Sequence, residues 1–242
     1  MEKKKITINV AEYPAELHPF LANANVYDSS CSPNAQVLYS DLGFYIKIAE
    51  AGVLAKEAEL AMIFAKKGLG TEVVMYLSQE NEKGATVVKD YLVTREAKGE
   101  DGLSLLTEPE RLCEALAEAM KYLHSQSTKG APISKAMEAY AGKIEDADSA
   151  SVENVHKLKC DTLIHGDFCL PNIMFNDGKF SAFIDLGLAG VGDKHIDIYW
   201  VLWSLNYNLK TDKYTDYVLN LYGREKVDME VLKAVSEVEK LG

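Results

Sequence analysis

Short runs of mostly apolar residues recur along the chain up to residue 94. Residues 36–40 and 44–49 form two such runs on either side of the sequence Asp-Leu-Gly at residues 41–43. Two such runs separated by a short glycine-containing segment predict two strands joined by a hairpin turn. In the second strand, alternation places Lys47 on the less apolar face.

A change of spacing after this hairpin predicts a helix. Apolar residues recur three and four positions apart through residues 53–67, and two glycines follow. Apolar runs return at residues 72–78 and 86–94 and predict two more strands. The segment from residue 1 to 94 is therefore predicted to be a mostly antiparallel sheet with one helix.

Beyond residue 102 the apolar spacing becomes mainly helical. Residues 95–102 are charged, contain glycine and lack a period, which favours a linker. A T-x-x-E sequence at residues 107–110, with proline in the first turn, predicts a helix that starts with a capping box. Further helices are predicted at residues 137–144, 152–159, 214–222 and 229–241. We expect Tyr199, Trp200 and Trp203 to lie in the core and not to stack on a ligand. The pattern predicts an α+β chain with an N-terminal sheet lobe (1–94), a linker (95–102) and a mainly helical lobe (103–242).

Composition and charge narrow the class of protein. The chain has 242 residues, 48% of them hydrophobic, which supports a buried core and argues against disorder. It shows no secretory signal pattern, and its longest apolar run, residues 198–205, is too short to span a bilayer, so we expect a cytoplasmic protein with reduced cysteines. The net charge of −11 disfavours nucleic acid as a partner. It suits a cationic substrate, although an acidic surface that only maintains solubility is equally consistent with it.

Candidate chemistry is concentrated between residues 162 and 197. A short apolar strand at residues 162–164 leads into His165-Gly166-Asp167, and an Asp-Gly turn joins two predicted strands at 173–175 and 180–184. A two-residue turn would place Asn172 opposite Phe183 and make Asp185 its diagonal neighbour. Diagonal neighbours lie about 7–8 Å apart, close enough for both side chains to reach one cation.

The ligand types in this hairpin indicate phosphoryl transfer. Amide and carboxylate oxygens suit Mg²⁺, which takes phosphate oxygens as further ligands. Asp167, five residues before Asn172, is available to accept a proton from an attacking hydroxyl. The alternative is that Asp, Asn and Gly mark turns only, and that His165 is a core histidine. The agreement of turn, spacing and ligand chemistry favours the functional interpretation.

Three motifs resemble those of a known enzyme family. H-G-D-x-x-x-x-N at residues 165–172, I-D-L-G at 184–187 and G-x-G-D-K-x-x-D at 190–197 are similar to the motifs of the aminoglycoside phosphotransferase family, and most of all to its 3'-phosphotransferases, the kanamycin kinases. The resemblance implies a two-lobed protein-kinase-like fold. It also implies a kinase that transfers the γ-phosphate of ATP, with GTP as a second possible donor, to a hydroxyl of an aminoglycoside and confers antibiotic resistance.

The resemblance also implies roles for individual residues of the helical lobe. Asp167 would be the catalytic base, and Asn172 and Asp185 would be the Mg²⁺ ligands. Asp197 would brace the catalytic loop, and His165 would be structural within it.

In the sheet lobe, the resemblance assigns nucleotide contacts. Lys47 would contact the α- and β-phosphates and pair with Glu57. Without the resemblance, the strand alone favours a solvated Lys47, and Glu57 is equally consistent with a surface residue of its helix. Ser32 would lie in the nucleotide-positioning loop, and residues Arg95 to Ala97 would form the hinge that binds adenine through backbone groups.

Departures from the family pattern fall on the acceptor side. Leu188 stands where the 3'-kinases carry arginine, and the segment between hinge and catalytic loop is shorter. Residues 239–242 read Glu-Lys-Leu-Gly, whereas the 3'-kinases end in an acidic-aromatic tail. An alternative acceptor is therefore another small alcohol, such as an amino alcohol, a sugar or a nucleoside. The motifs leave the acceptor hydroxyl, the choice between ATP and GTP and the oligomeric state open.

Overall fold

The computed structural model of the chain describes residues 3–31, 33–79, 88–146 and 155–240. The chain divides into two units, one formed by Met1–Ala65 with Thr71–Ala97 and the other by Lys66–Gly70 with Lys98–Gly242. Ser32 lies outside the described residues. The division into nucleotide-binding lobe, hinge and catalytic lobe stays a prediction.

An antiparallel sheet of six strands forms the first unit. Its strands are β1 (Lys4–Ile6), β2 (Val26–Asp28), β3 (Gln36–Ser40), β4 (Phe44–Glu50), β5 (Val73–Ser78) and β6 (Lys89–Arg95), in the order β1-β2-β3-β4-β6-β5. Two helices accompany it, α1 (His18–Leu21) and α2 (Ala55–Lys66).

The two faces of this sheet bury different residues. Ile46 and Ile48 of β4 pack with Leu17 and Leu21 in one core cluster. Ala49 lies on the opposite face and packs with Ala58 of α2. Because side chains alternate along a strand, Tyr45 and Lys47 also lie on the face that carries α2.

The second unit is mainly helical. Its helices are α3 (Pro109–His124), α4 (Lys135–Asp146), α5 (Lys194–Leu209), α6 (Thr215–Tyr222) and α7 (Met229–Glu239). Its strands are β7 (Glu100–Asp101), β8 (Thr162–Ile164), β9 (Ile173–Asn176), β10 (Lys179–Phe183) and β11 (Gly190–Gly192). They form two small sheets, β10-β9-β7 and β11-β8. In the part of the chain that the structure describes, no helix has the length and apolar character needed to cross a membrane.

The start of α3 differs from the predicted capping box. The helix begins at Pro109 with Glu108 as N-cap, and no side chain caps it. The residue before a proline is disfavoured in the helical region, so Glu108 cannot serve as a first-turn helical residue. This constraint moves the cap from Thr107 to Glu108, and the prediction of a Thr107 cap was wrong.

Candidate active site

A tight turn follows strand β8 and carries the candidate catalytic base. Gly166 has a φ of +81°, and a side chain there would clash with the backbone carbonyl oxygen of Leu188. Only glycine meets both conditions without strain. The turn therefore presents Asp167 directly after a position where the backbone must reverse and approach a neighbouring segment.

Asp197, in the first turn of α5, anchors this turn. Its two carboxylate oxygens accept the backbone N–H groups of His165 and Gly166, each at 2.8 Å. Oδ2 also lies 3.1 Å from Nε2 of His124, whose Nδ1 lies 2.9 Å from the hydroxyl of Tyr222. Asp197 is fully buried, so three donors compensate the cost of removing its carboxylate from water.

Asn172 contacts Asp167 directly. Its Nδ2 donates to Oδ2 of Asp167 at 2.9 Å and to the backbone carbonyl oxygen of Asp167 at 3.0 Å. Because both of these oxygens only accept hydrogen bonds, the amide nitrogen must face Asp167 and the amide oxygen must face away. Asn172 thus holds the candidate base in place, and its Oδ1 faces away from Asp167.

The predicted pairing between Asn172 and Phe183 was wrong. The Asp-Gly turn pairs Asn176 with Lys179 as expected, but a bulge between Phe180 and Ala182 shifts the register, so that Phe183 pairs with Ile173. Asn172 instead accepts the backbone N–H of Ile184 through its carbonyl oxygen at 3.0 Å. A bulge adds one residue to one strand, so the one-to-one pairing counted from the turn does not continue through it.

Asp185 leaves the hairpin in a left-handed conformation. Its φ and ψ are 56° and 62°, a region that aspartate tolerates better than most residues but that still costs free energy. Nε2 of His165 lies 3.0 Å from the carbonyl oxygen of Ile184, and Nδ1 of His165 accepts the N–H of Asp167. His165 therefore links the residue before Asp185 to the turn that carries Asp167.

The donor set fits a hard cation that keeps water and phosphate among its ligands. It combines the amide oxygen of Asn172 with the exposed carboxylate of Asp185. Among the described residues, no group of three or more His, Cys, Asp and Glu side chains forms a metal cluster. Mg²⁺ commonly binds through one or two protein oxygens plus waters and substrate phosphates, so this sparse set suits Mg²⁺ better than a metal that needs a complete protein cage.

Cys169, two residues after Asp167, is not a candidate nucleophile. Burial raises the pKa of its thiol, and the nearby charge of Asp167 raises it further. A thiol that stays protonated at neutral pH is a poor nucleophile and a poor metal ligand. The carboxylate of Asp167 remains the candidate reactive group of this loop.

In the first unit, Lys47 pairs with Glu57. Its Nζ lies 2.8 and 2.9 Å from the two carboxylate oxygens of Glu57 on α2. Asp90 holds the start of this helix, because its Oδ2 accepts the N–H of Leu54 at 2.9 Å. The structure thus makes the Lys–Glu pair that the resemblance implied, and the contacts of Lys47 with phosphates stay a prediction.

Tyr45 is a candidate binding residue that the sequence reasoning missed. It lies two residues from Lys47 on the same face of the sheet, and its ring lies 4.9 Å from that of Tyr39, its partner on β3. Aromatic rings of this kind stack on nucleotide bases. The signal in the sequence was the alternation itself, which assigns Tyr45 and Lys47 to one face.

The predicted hinge residues lie at the end of the first unit. Arg95 is exposed, pairs with Glu72 at 2.7 Å and lies 5.0 Å from the ring centre of Phe44. Ala97 is the last residue of the unit and is partly buried. The side chain of Arg95 is thus already paired, and the assignment of both residues to adenine binding through their backbone stays a prediction.

One of the aromatic residues of α5, Trp203, is less buried than the sequence predicts. Trp203 was expected in the core, but its exposed fraction is 45%, and that of Tyr207 is 59%. Their rings are stacked with an interplanar angle of 8°. Tyr199 and Trp200 are partly buried against a core cluster, so the prediction was wrong for Trp203 only.

The fold, the residues around Asp167 and the Lys47–Glu57 pair together define a kinase-like phosphotransferase. Residues 143–235 match a family model described as the phosphotransferase enzyme family. In an alignment 265 positions long, the chain is 39% identical to a probable aminoglycoside 3'-phosphotransferase of Lactococcus lactis. The alignment covers 99% of this chain and 98% of that protein. The chain belongs to the aminoglycoside phosphotransferase family.

Solved structures show the same fold. The aminoglycoside phosphotransferase of Streptomyces rimosus superposes with a TM-score of 0.72 at 17% identity, covering 97% of this chain and 99% of that one. Its complex with ADP and streptomycin gives a TM-score of 0.69 at 18% identity, with the same coverage. The GDP complex of an aminoglycoside 2'-phosphotransferase gives 0.66 at 16% identity, covering 96% of this chain and 88% of that one.

Proposed function

We propose that the chain is a kinase that transfers the γ-phosphate of ATP to a hydroxyl of an aminoglycoside, as a 3'-phosphotransferase does, and thereby confers resistance to the antibiotic. The observation that carries the proposal is the contact between Asp167 and Asn172 at 2.9 Å. It holds a carboxylate that would accept the proton of the acceptor next to an amide whose oxygen would bind the cation, and phosphoryl transfer to an alcohol requires both.

In the proposed phosphoryl transfer, the residues of this chain would have different roles. Asp167 would accept the proton of the acceptor hydroxyl as the new oxygen–phosphorus bond forms and the bond from the γ-phosphorus to the bridging oxygen breaks. Asn172 and Asp185 would hold Mg²⁺, which neutralises charge on the phosphates when bound. Lys47, oriented by Glu57, would contact the α- and β-phosphates.

Similar proteins support the nucleotide and the acceptor class. The Streptomyces rimosus enzyme binds ADP and streptomycin, and the 2'-phosphotransferase binds GDP, so we propose ATP as the donor and keep GTP as a second donor. The net charge of −11 favours a cationic acceptor. We further propose a cytoplasmic enzyme whose partners are small molecules and not nucleic acids.

An acceptor panel tests the proposal. ADP release would be measured with kanamycin and other aminoglycosides, with amino alcohols, sugars and nucleosides, and with ATP and GTP as donors. We expect turnover with at least one aminoglycoside and reduced susceptibility of cells that express the chain. Turnover restricted to a metabolite alcohol, with unchanged susceptibility, would replace the acceptor and keep the chemistry.

The variant Asp167→Asn tests the mechanism separately. Loss of the proton acceptor is expected to lower kcat by about 100- to 10,000-fold while ADP binding stays intact. Asp177→Asn, which changes an exposed aspartate in the turn of the same hairpin, serves as the matched control. Turnover by Asp167→Asn at the wild-type rate would contradict the assigned base.

A further inference from the structure

We infer that Lys3 is a positioning residue for the nucleotide base, acting through the tyrosine pair Tyr39–Tyr45 and through Glu96. The inference rests on the proposed function, because it takes the face of the sheet around Lys47 as the nucleotide site. Lys3 lies just before β1, far from Lys47 in sequence, and no motif marks it.

Three tyrosines form a row across neighbouring strands. Tyr27 pairs with Tyr39, and Tyr39 pairs with Tyr45, so their side chains share one face of the sheet. The ring centres are 5.9 Å apart for the first pair and 4.9 Å apart for the second. The inner end of the row is Tyr45, two residues from Lys47 on the same face, where a base attached to phosphates at Lys47 would stack.

The ammonium group of Lys3 lies over two rings of this row. Its Nζ lies 3.3 Å from the ring centre of Tyr39 and 5.2 Å from that of Tyr45. Both distances are within the range of cation–π attraction. An ammonium group held over two adjacent rings restricts the orientation of both.

The same ammonium group is tied to the predicted hinge. Nζ of Lys3 lies 3.2 Å from Oε1 of Glu96, and the hydroxyl of Tyr39 donates to Oε2 of Glu96 at 3.0 Å. The N–H of Glu96 donates to the carbonyl oxygen of Gly43, in the turn before β4, at 2.9 Å. The lysine, the ring pair and the residue between Arg95 and Ala97 therefore form one closed network.

The protonation states favour this network at neutral pH. Burial lowers the pKa of Lys3, but its contacts with Tyr45 and Glu96 outweigh burial, and the pKa is raised overall. Burial and the hydrogen bond to Glu96 raise the pKa of the Tyr39 hydroxyl. The lysine remains a cation and the tyrosine remains a donor.

The expected role is preorganisation and not stability. The side chains of Lys3 and Glu96 are 31% and 38% exposed, and ion pairs at such positions contribute little to the free energy of folding. A ring pair that is already oriented loses less conformational entropy when a base stacks on it. Removing the ammonium group should therefore weaken nucleotide binding and leave the chemical step unchanged.

The variant Lys3→Met tests the inference, with Lys5→Met as its matched control. Both remove one exposed or half-exposed lysine from the N-terminal strand region, but Lys5 lies opposite Tyr27 at the outer end of the row. Titration calorimetry with ADP would give Kd for the full chain without any acceptor, and ATP kinetics with an accepted aminoglycoside would give KM and kcat.

We expect Lys3→Met to raise Kd for ADP and KM for ATP by about three- to tenfold at unchanged kcat, which corresponds to ordering one or two side chains. Lys3→Arg should restore wild-type binding, and Lys5→Met should stay within about twofold of wild type. Equal weakening by Lys3→Met and Lys5→Met would indicate a general effect of charge and overturn the inference.

The outcome separates this inference from the proposed function. Wild-type affinity in Lys3→Met, alongside normal turnover by the wild-type chain, would overturn the role of Lys3 alone. A wild-type chain that binds neither ADP nor GDP would overturn the proposed function and this inference with it.

Discussion

The side-chain amide of Asn172 donates two hydrogen bonds to Asp167, one to its carboxylate at 2.9 Å and one to its backbone carbonyl oxygen at 3.0 Å. The pair couples the candidate base to the candidate cation ligand within one short segment. A change at Asn172 should therefore affect both the position of Asp167 and the binding of the cation.

Asn172→Ala would remove the candidate cation ligand together with the support of the candidate base. We expect the Mg²⁺ concentration for half-maximal activity to rise about tenfold or more, because the loss of an interaction at a metal site typically has that effect. A magnesium titration of ADP release measures it. Asn176→Ala, at an exposed position of the same hairpin, is the control, and an unchanged magnesium requirement in Asn172→Ala would contradict the assignment.

Asp185 combines backbone strain with a candidate ligand. Asp185→Gly is expected to raise the free energy of unfolding by about 0.5–1 kcal/mol, since glycine adopts a φ of 56° without penalty, while turnover is lost with the carboxylate. Asp185→Asn keeps a residue that tolerates this conformation and should change stability little. Denaturant unfolding and ADP release measure the two effects, and a Gly variant that retains turnover would remove Asp185 from the site.

The backbone at position 166 requires glycine for two reasons, whereas the backbone at position 43 requires it for one. Both have a positive φ, but a side chain at Gly166 clashes with Leu188, and at Gly43 it meets open space. Gly43→Ala should cost about 1 kcal/mol of unfolding free energy, and Gly166→Ala about 3 kcal/mol or more. Equal losses in denaturant unfolding would show that the turn at Gly166 can move away from Leu188.

The buried carboxylate of Asp193 predicts how the free energy of unfolding depends on pH. It caps α5, and its carboxylate accepts the N–H groups of Lys159 and His195 and lies 2.6 Å from Nδ1 of His195. Burial raises the pKa of this carboxyl, but these hydrogen bonds outweigh burial and hold the pKa below its ordinary value of 3.8. Because its pKa is lowered in the folded state, the ionised carboxylate of Asp193 stabilises the fold at pH values above 3.8. This stabilisation is lost as the pH falls through the lowered pKa.

Asp193→Asn should therefore lower the free energy of unfolding at pH 7 and pH 5 by about 1–3 kcal/mol, with a smaller difference from wild type below pH 3.8. Unfolding at several pH values measures the difference. Asp216→Asn, at a side chain that is 76% exposed, should change the free energy of unfolding by less than about 0.5 kcal/mol. A difference for Asp193→Asn that does not depend on pH would mean that the charge of Asp193 contributes nothing.

The sequence predicted those features that depend on local spacing. The hairpin of β3 and β4 and the face that carries Lys47 follow from alternation, and the structure has both. The Asp-Gly hairpin was also predicted, because the aspartate and glycine of its turn favour specific backbone conformations.

Features that depend on one irregular residue or on distant contacts could not be predicted. Alternation gives no sign of the bulge between Phe180 and Ala182, so the pairing of Asn172 was misplaced. The exposure of Trp203 was missed because periodicity does not reveal which faces of a helix remain uncovered. Lys3 meets Glu96 across most of the first unit, and no local pattern encodes such a contact.

The left-handed backbone at Asp185 makes the candidate site vulnerable to evolutionary drift. Glycine would relieve the backbone strain there, and we expect selection for activity to favour the aspartate. Asp197 is different, because the buried turn of His165 and Gly166 needs its carboxylate whether or not the enzyme is used. In lineages that no longer meet an acceptor, position 185 should change early and position 197 late, so the pair would distinguish a decayed copy of the gene from a working one.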